Sequence, residues 1–289
     1  MNGTMQGDGT ENNPYLIEDI KDLIELGNIM TNRTGIEYYA EQIQDIDVKN
    51  ELLLKEIYLS GNNNRLIYKG NRHKINGLHK VVAGNDIRIP LTISCRSVFK
   101  DVYFTNMDAS GIGLVIYIYQ YNVVFEHCVF HGSMLTDAQS NYLVAAYHKS
   151  NNYDLKMFGC LIDFNVTFNN SSTNSTYTSG FISDGILYNC ILTGRYISGC
   201  RGFQYNLTNY TKLNNCFINV DMSTITLDDT TAMIYSDTVL DDKGNSYNCI
   251  VNKDKIHFSI GSNITRPELL KSDAECKNIN TFRDAGWWV

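Results

Sequence analysis

The 289-residue chain is read as an all-β protein, a parallel β-helix with a short helical cap near its N-terminus. Two observations carry that reading. A short phrase recurs between residues 100 and 250 as VFKDVYFTN, VFEHCVFHG, MFGCLIDF, LYNCILTG, LNNCFINV and SYNCIVNK. Its anchors, Val102, Cys128, Cys160, Cys190, Cys216 and Cys249, follow one another at 26, 32, 30, 26 and 33 residues. A fixed period of that size marks units that stack, because each is too small to bury its own apolar face.

The second observation lies inside the phrase. Two residues after each anchor stand Phe104, Phe130, Ile162, Leu192, Ile218 and Val251. A spacing of two puts both side chains on one face of a strand. Three before the anchor come Phe99, Phe125, Met157, Leu187 and Leu213, with Ser246 as the exception. An odd step breaks the alternation, so a bend is expected between two short strands. Asn189, Asn215 and Asn248 stand just before their anchors, where local side-chain to backbone hydrogen bonding would support a bend. Identical positions in successive coils would then stack at the ~4.8 Å strand spacing.

The cysteines follow the same period. Free Cys behaves as a small, buried hydrophobe. There is no CxxC pair, so a buried ladder of thiols is expected in place of disulfides or a zinc site. Cys200 and Cys276 lie outside the ladder and receive no role.

Along the chain, residues 1–50 form a lead-in and cap, 51–260 the coils and 261–289 a C-terminal cap. Residues 18–30, EDIKDLIELGNIM, space Ile20, Leu23, Ile24 and Gly27 as one helical face, with Glu18 or Asp19 at the start. This helix would hide the open apolar cross-section of the first coil, since an exposed strand edge invites aggregation. Strands are expected at Ile36–Ala40 and Leu52–Leu59, a turn at Gly61–Asn64, a first coil phrase at Ile75–Leu78, and a strand in the run 112–119. Residues 165–180 and 221–245 read as polar loops, the second acidic at Asp228, Asp229, Asp237, Asp241 and Asp242. A short helix precedes Trp287 and Trp288, which are expected to pack on the last coil or on a partner protein.

Composition excludes several classes. The net charge of −7 and the lack of a Lys/Arg cluster argue against nucleic-acid binding. No apolar run approaches a membrane span. No Walker loop, dinucleotide fingerprint, nucleophile motif or zinc signature occurs, so no cofactor and no metal is expected. The start, MNGTMQGDGTENNPY, has neither a charged nor an apolar signal region, and no secretory signal is expected.

The segment from Gly7 to Ile17, GDGTENNPYLI, resembles the opening of β-helix proteins of the GLUG-type repeat group, which occur as bacterial surface and bacteriophage structural proteins. Tyr38–Asp47 is similar to that group's second segment, and Tyr68–Leu78, YKGNRHKINGL, to a third. Thr281–Trp288 is similar to its closing phrase. The resemblance covers the first ~80 and last ~20 residues, and implies a single-stranded right-handed parallel β-helix. It transfers no catalytic residue. With the missing signal it implies a non-enzymatic structural or adhesive virion protein, part of a tail, baseplate or capsid exterior. Such a protein is assembled in the host cytoplasm and exposed on the particle. Its implied partners are other virion proteins and host cell-surface polysaccharide. Stoichiometry stays open between a monomer held by those proteins and a homo-trimer.

Two other readings stand beside it. One is a polysaccharide depolymerase, a lyase or glycoside hydrolase, because stacked coils can bring two carboxyls to the ~5–9.5 Å that hydrolysis needs. Asp101 and Glu126, with His127 and His131 beside them, are the acid/base candidates, and Asp163 with Asp184 forms a second pair. Acids do not recur at one coil position, which weighs against catalysis. The other reading is a bacterial surface adhesin.

Overall fold

The structure, a computed structural model, describes residues 5–48, 56–79, 81–83, 86–108, 110, 114–119, 121–136, 141–147, 155–168, 179–183, 185–198, 208–209, 212–221, 246–255 and 270–284. It is all-β with few helices, its parallel strands stacked as a β-solenoid. The coil has three faces. The first stacks the early halves of Ile57–Lys69 and Leu91–Lys100 on Leu114–Tyr119, Asn141–Tyr147, Ser179–Ser183 and Thr208–Asn209. The second runs from Tyr15–Ile17 and Glu37–Gln42 through the late halves of the same two long strands. It continues through Val123–Glu126, Leu155–Phe158, Gly185–Tyr188, Lys212–Asn214 and Ser246–Tyr247. The third is a 9-stranded sheet: Ile46–Asp47, Lys74–Asn76, Tyr103–Asp108, Val129–Thr136, Leu161–Phe168, Ile191–Ser198, Phe217–Asp221, Ile250–Asn252 and Leu270–Lys271. A small antiparallel hairpin, Val81–Ala83 with Asp86–Arg88, stands apart from the three faces, and no expectation had covered it.

The anchors sit at the corner between the second and third faces. Val102, Cys190, Cys216 and Cys249 are fully buried and Cys128 and Cys160 nearly so. All five ladder cysteines are free thiols. Each reaches a backbone carbonyl of the coil above: Cys128 Sγ donates to Phe99 O at 3.5 Å, Cys160 to Phe125 O at 3.5 Å, Cys190 to Met157 O at 3.6 Å, Cys216 to Leu187 O at 3.6 Å and Cys249 to Leu213 O at 3.4 Å. A thiol is small enough for the corner and still gives a weak donor to carbonyls that have left the regular ladder. Burial pushes the Cys128, Cys190 and Cys216 thiols well above their usual range. Cys95, not assigned from sequence, is also buried and free; Cys276 is half-buried and Cys200 lies outside the described residues.

The bend has a different cause from the one expected. The residue before each anchor holds a left-handed backbone: Asp101 at φ 53°, His127 at 53°, Gly159 at 60°, Asn189 at 54°, Asn215 at 50° and Asn248 at 53°. Asn, Asp and Gly tolerate this region, so the Asn enrichment reports backbone conformation more than side-chain bonding. Its amide still pairs rung to rung, as in Asp101 N to Glu126 O at 2.9 Å and His127 N to Phe158 O at 2.9 Å.

Inside, aromatic rings stack along the axis. Phe99 and Phe125 lie 5.2 Å apart, Phe104 and Phe130 5.2 Å, and Phe125 meets Phe130 edge-on at 5.1 Å. Such pairs add about 0.5–1.5 kcal/mol beyond area burial.

Helix α1, Ile20–Thr31, begins at Asp19 with a capping box to Asp22, as the spacing implied. It covers the open edge at the start of Ile57–Lys69, which the shorter Glu37–Gln42 leaves unpaired. Gly27 permits the contact, because a Cβ there would sit 2.5 Å from Tyr58 O. Two rungs of the second face, Tyr15–Ile17 and Glu37–Gln42, thus lie inside the segment taken as lead-in and cap. The expected turn at Gly61–Asn64 is instead a corner inside the continuous strand Ile57–Lys69, bent at Asn63 with φ 59°. The buried Asn64 explains it. Its Nδ2 donates to Met30 O at 2.8 Å and Arg33 O at 2.9 Å, while its Oδ1 accepts from Ile36 N at 3.0 Å. Residues 165–168 are strand too, and only 169–178 of the expected polar loop fall outside the described residues. At the far end α2, Asp273–Cys276, and α3, Ile279–Asp284, follow the last rung. Trp287, Trp288 and most of the acidic excursion, residues 222–245, lie outside the described residues.

Candidate functional site

Asp101, Glu126 and His127 lie at and beside one corner, while His131 stands in the third sheet, 4.0 Å from Asp163. Asp101 and His127 are corner residues, held there by backbone conformation. The His127 ring lies over Gly159, where an added Cβ would meet it at 2.9 Å. Glu126 is one step earlier, in the second sheet, with its carboxylate 2.8 Å from Lys100 Nζ on the neighbouring rung. That position continues down the face as Phe158 and Tyr188, whose rings stack at 4.9 Å with a 4° tilt. Of the weaker pair, Asp163 is in the third sheet and Asp184 lies outside the described residues.

A different set of residues converges. Three positions after each anchor stand Thr105, His131, Asp163, Thr193, Asn219 and Asn252. Registers carry this file upward through Asn76 to Asp47, so a polar residue stands at this position on each of eight rungs of the third face, at least partly exposed on seven and buried at Asn252. The phase follows from strand geometry: anchor and anchor +2 point in, so +3 points out. Near the top the register shifts between Phe130 and Gly132, and Asn106 takes φ 49°. This bulge turns both Thr105 and Asn106 toward the ladder.

The side chains bridge their rungs. Asn76 Nδ2 donates to Asp47 Oδ1 at 3.1 Å, and Thr105 Oγ1 and Asn106 Nδ2 donate to Asn76 Oδ1 at 3.1 and 2.6 Å. His131 Nε2 stands 4.0 Å from Asp163 Oδ2. Asn252 Nδ2 donates to Asn219 Oδ1 at 2.8 Å and to Asp273 Oδ1 at 3.1 Å, which ties the ladder to α2. Two positions further out along the strands runs a second polar file, Ser133, Asn165, Arg195 and Asp221, with Arg195 Nε 3.4 Å from Asp221 Oδ2.

Two grooves open on this face. The upper, about 490 Å³, is bounded by Asp45, Asp47, Lys74, Asn76, Asn106 and His131. Here the Lys74 amide, donating at 2.9 Å, holds the Asp45 carboxyl below its usual value, with His73 adding to it. The lower, about 410 Å³, lies between Asp163, Asn165, Thr193, Arg195, Asn219 and Asp221, with Lys255 at its margin. Its floor depends on Gly194, at φ 117°, where a Cβ would fall 2.1 Å from Phe164 O. The Phe164 ring fills the inside of the same level against Gly132. No group of three or more His, Cys, Asp or Glu suited to a metal ion is found among the described residues. No helix among them is long and apolar enough to cross a membrane.

The ladder was not foreseen. Asp101 and Glu126 lie one and two positions before their anchors, whereas the polar file lies three after. The column Thr, His, Asp, Thr, Asn, Asn was the available signal.

No family model matches the chain. No curated protein matches it either. Among solved structures, a crystal structure described as "a putative immunoglobulin A1 protease" from Bacteroides ovatus aligns over 90% of this chain and 83% of that chain, at 14% identity and a TM-score of 0.49. A likeness of that degree carries no argument about what this chain does.

Proposed function

We propose that this β-solenoid is a non-enzymatic structural and adhesive protein, a rigid rod that presents a polar face from an exposed assembly. One observation carries the reading: the third face offers a polar file over seven rungs, ended by the buried Asn252, while Glu126 is ion-paired with Lys100 and Asp101 and His127 serve the corner. A surface of this kind makes many shallow contacts along its length. The setting we propose is a bacteriophage particle exterior, contacting other virion proteins and host cell-surface polysaccharide; the Gly7–Ile17 phrase supports that setting.

The test has two arms. Particles purified from the source are imaged by cryo-electron microscopy, and a short β-solenoid at symmetric sites is the expected result. Its absence from particles, with the chain found on the cell surface, would replace the virion by a bacterial adhesin. In the second arm the pure protein is incubated with host-surface polysaccharide and the products are sized. Unchanged polymer length is expected; shortening would overturn the non-enzymatic reading.

A further inference from the structure

We infer that the lower groove of the third face binds a neutral, hydroxyl-rich linear glycan lying along the solenoid axis. The inference rests on the adhesive reading and gives it a site and a ligand class. Three features of the groove lead to it.

The first is repeat length. Asp163, Thr193 and Asn219 are successive rungs in register, and so are Asn165, Arg195 and Asp221. A polar side chain of each file therefore recurs every ~4.8 Å along the axis. A hexopyranose unit advances a linear glycan by a comparable length, so each successive sugar meets a polar side chain of both files. An extended peptide advances ~3.3 Å per residue and falls out of step within two rungs.

The second is donor and acceptor type. The groove offers two carboxylates, amides, a hydroxyl and a guanidinium, in two files on one surface. Amides and hydroxyls both donate and accept, and the carboxylate and guanidinium each take two bonds at once. Paired hydroxyls on adjacent ring carbons match that geometry.

The third is charge. Arg195 faces Asp221 at 3.4 Å, and Lys255 stands 3.7 Å from Asp273. The groove's cations are thus already matched by carboxylates, and the chain as a whole carries −7. An anionic polymer would gain little there and would meet Asp163 and Asp221. Gly194 lets the rung close against the Phe164 backbone between the two files, where any Cβ would clash.

The test uses the full chain. Titration calorimetry is run with neutral β-1,4- and α-1,4-linked hexose oligosaccharides of graded length, and with an oligogalacturonate as anionic control. Affinity for one neutral series is expected to rise with length and then level off once the chain spans the rungs. The anionic control is expected to bind roughly tenfold more weakly, the equivalent of about one charge-assisted hydrogen bond. Thr193→Trp, which fills the open groove, should abolish binding; Asn165→Ala should weaken it several-fold. Both positions are surface sites, and a thermal melt checks that the variants fold. Val124→Thr on the second face should bind as the parent does. Equal binding by parent and Thr193→Trp would overturn the groove assignment and leave the adhesive reading intact. So would preference for the anionic polymer. If the parent binds no oligosaccharide, the groove assignment falls, and the adhesive reading is then judged by the particle imaging alone.

Discussion

Lys100 Nζ lies 2.8 Å from the Glu126 carboxylate, one rung away on the outer surface of the second face. The contact makes the Glu126 carboxylate part of a surface file. Both side chains are well exposed, at 44% and 31%. An ion pair this wet contributes under about 1 kcal/mol. Glu126→Gln should therefore change the urea midpoint very little and leave polymer length untouched in the digestion assay. A fall in any cleaving activity on this substitution would return Glu126 to an active site.

Asn64 is a different case, because its amide is buried and bonded three ways. It holds the end of α1 and the start of the next rung at once. Asn64→Ala leaves two carbonyls and an amide without that partner, and should cost about 2–4 kcal/mol. Hydrogen exchange should accelerate first in α1 and in Glu37–Gln42. Uniform loosening of all coils would show that the cap is not a local unit.

Gly194 and Asn189 separate two uses of positive φ. At Gly194 any side chain meets the Phe164 backbone, so Gly194→Ala should destabilise by about 2 kcal/mol or more. Asn189 sits at an ordinary left-handed corner at φ 54°. Asn189→Gly should be within about 0.5 kcal/mol of the parent, and Asn189→Val clearly worse. Chemical denaturation of the three variants decides it.

The thiol ladder sets an alkaline limit. Burial raises Cys128, Cys190 and Cys216 above the 9.0 of a free thiol, so the folded chain keeps protons that the unfolded chain releases. Their contribution is complete below pH ~9 and is lost as pH climbs toward the folded values. Stability should fall above pH ~9, and less steeply in Cys190→Ala. That variant also starts lower at neutral pH, by about 1–2 kcal/mol, for the cavity it leaves. In the native state these thiols should resist a thiol-specific reagent until the coils unfold; rapid labelling at pH 8 would contradict their burial.

The coil period, the inward anchors and the helix after Asp19 were legible in the sequence because each is a local matter. A strand turns its side chains in and out every residue, a helix repeats every 3.6, and a capping box spans four positions. Gly61–Asn64 misled for the same reason. Its local signal is a turn, yet the long strand persists through it because Asn64 finds its partners 28 to 34 residues away.

What the sequence alone determined is therefore the unit: strand, bend, strand, with apolar residues and thiols pointing in. Only the tertiary structure decided which outward residues become neighbours. Coil lengths vary from 26 to 33 residues, and a bulge at Asn106 shifts one register. Contact along the axis thus follows the position counted from each anchor only where the closing of each coil keeps the rungs in register. Closure brought Glu126 to Lys100 and lined Asp163, Thr193 and Asn219 along one groove.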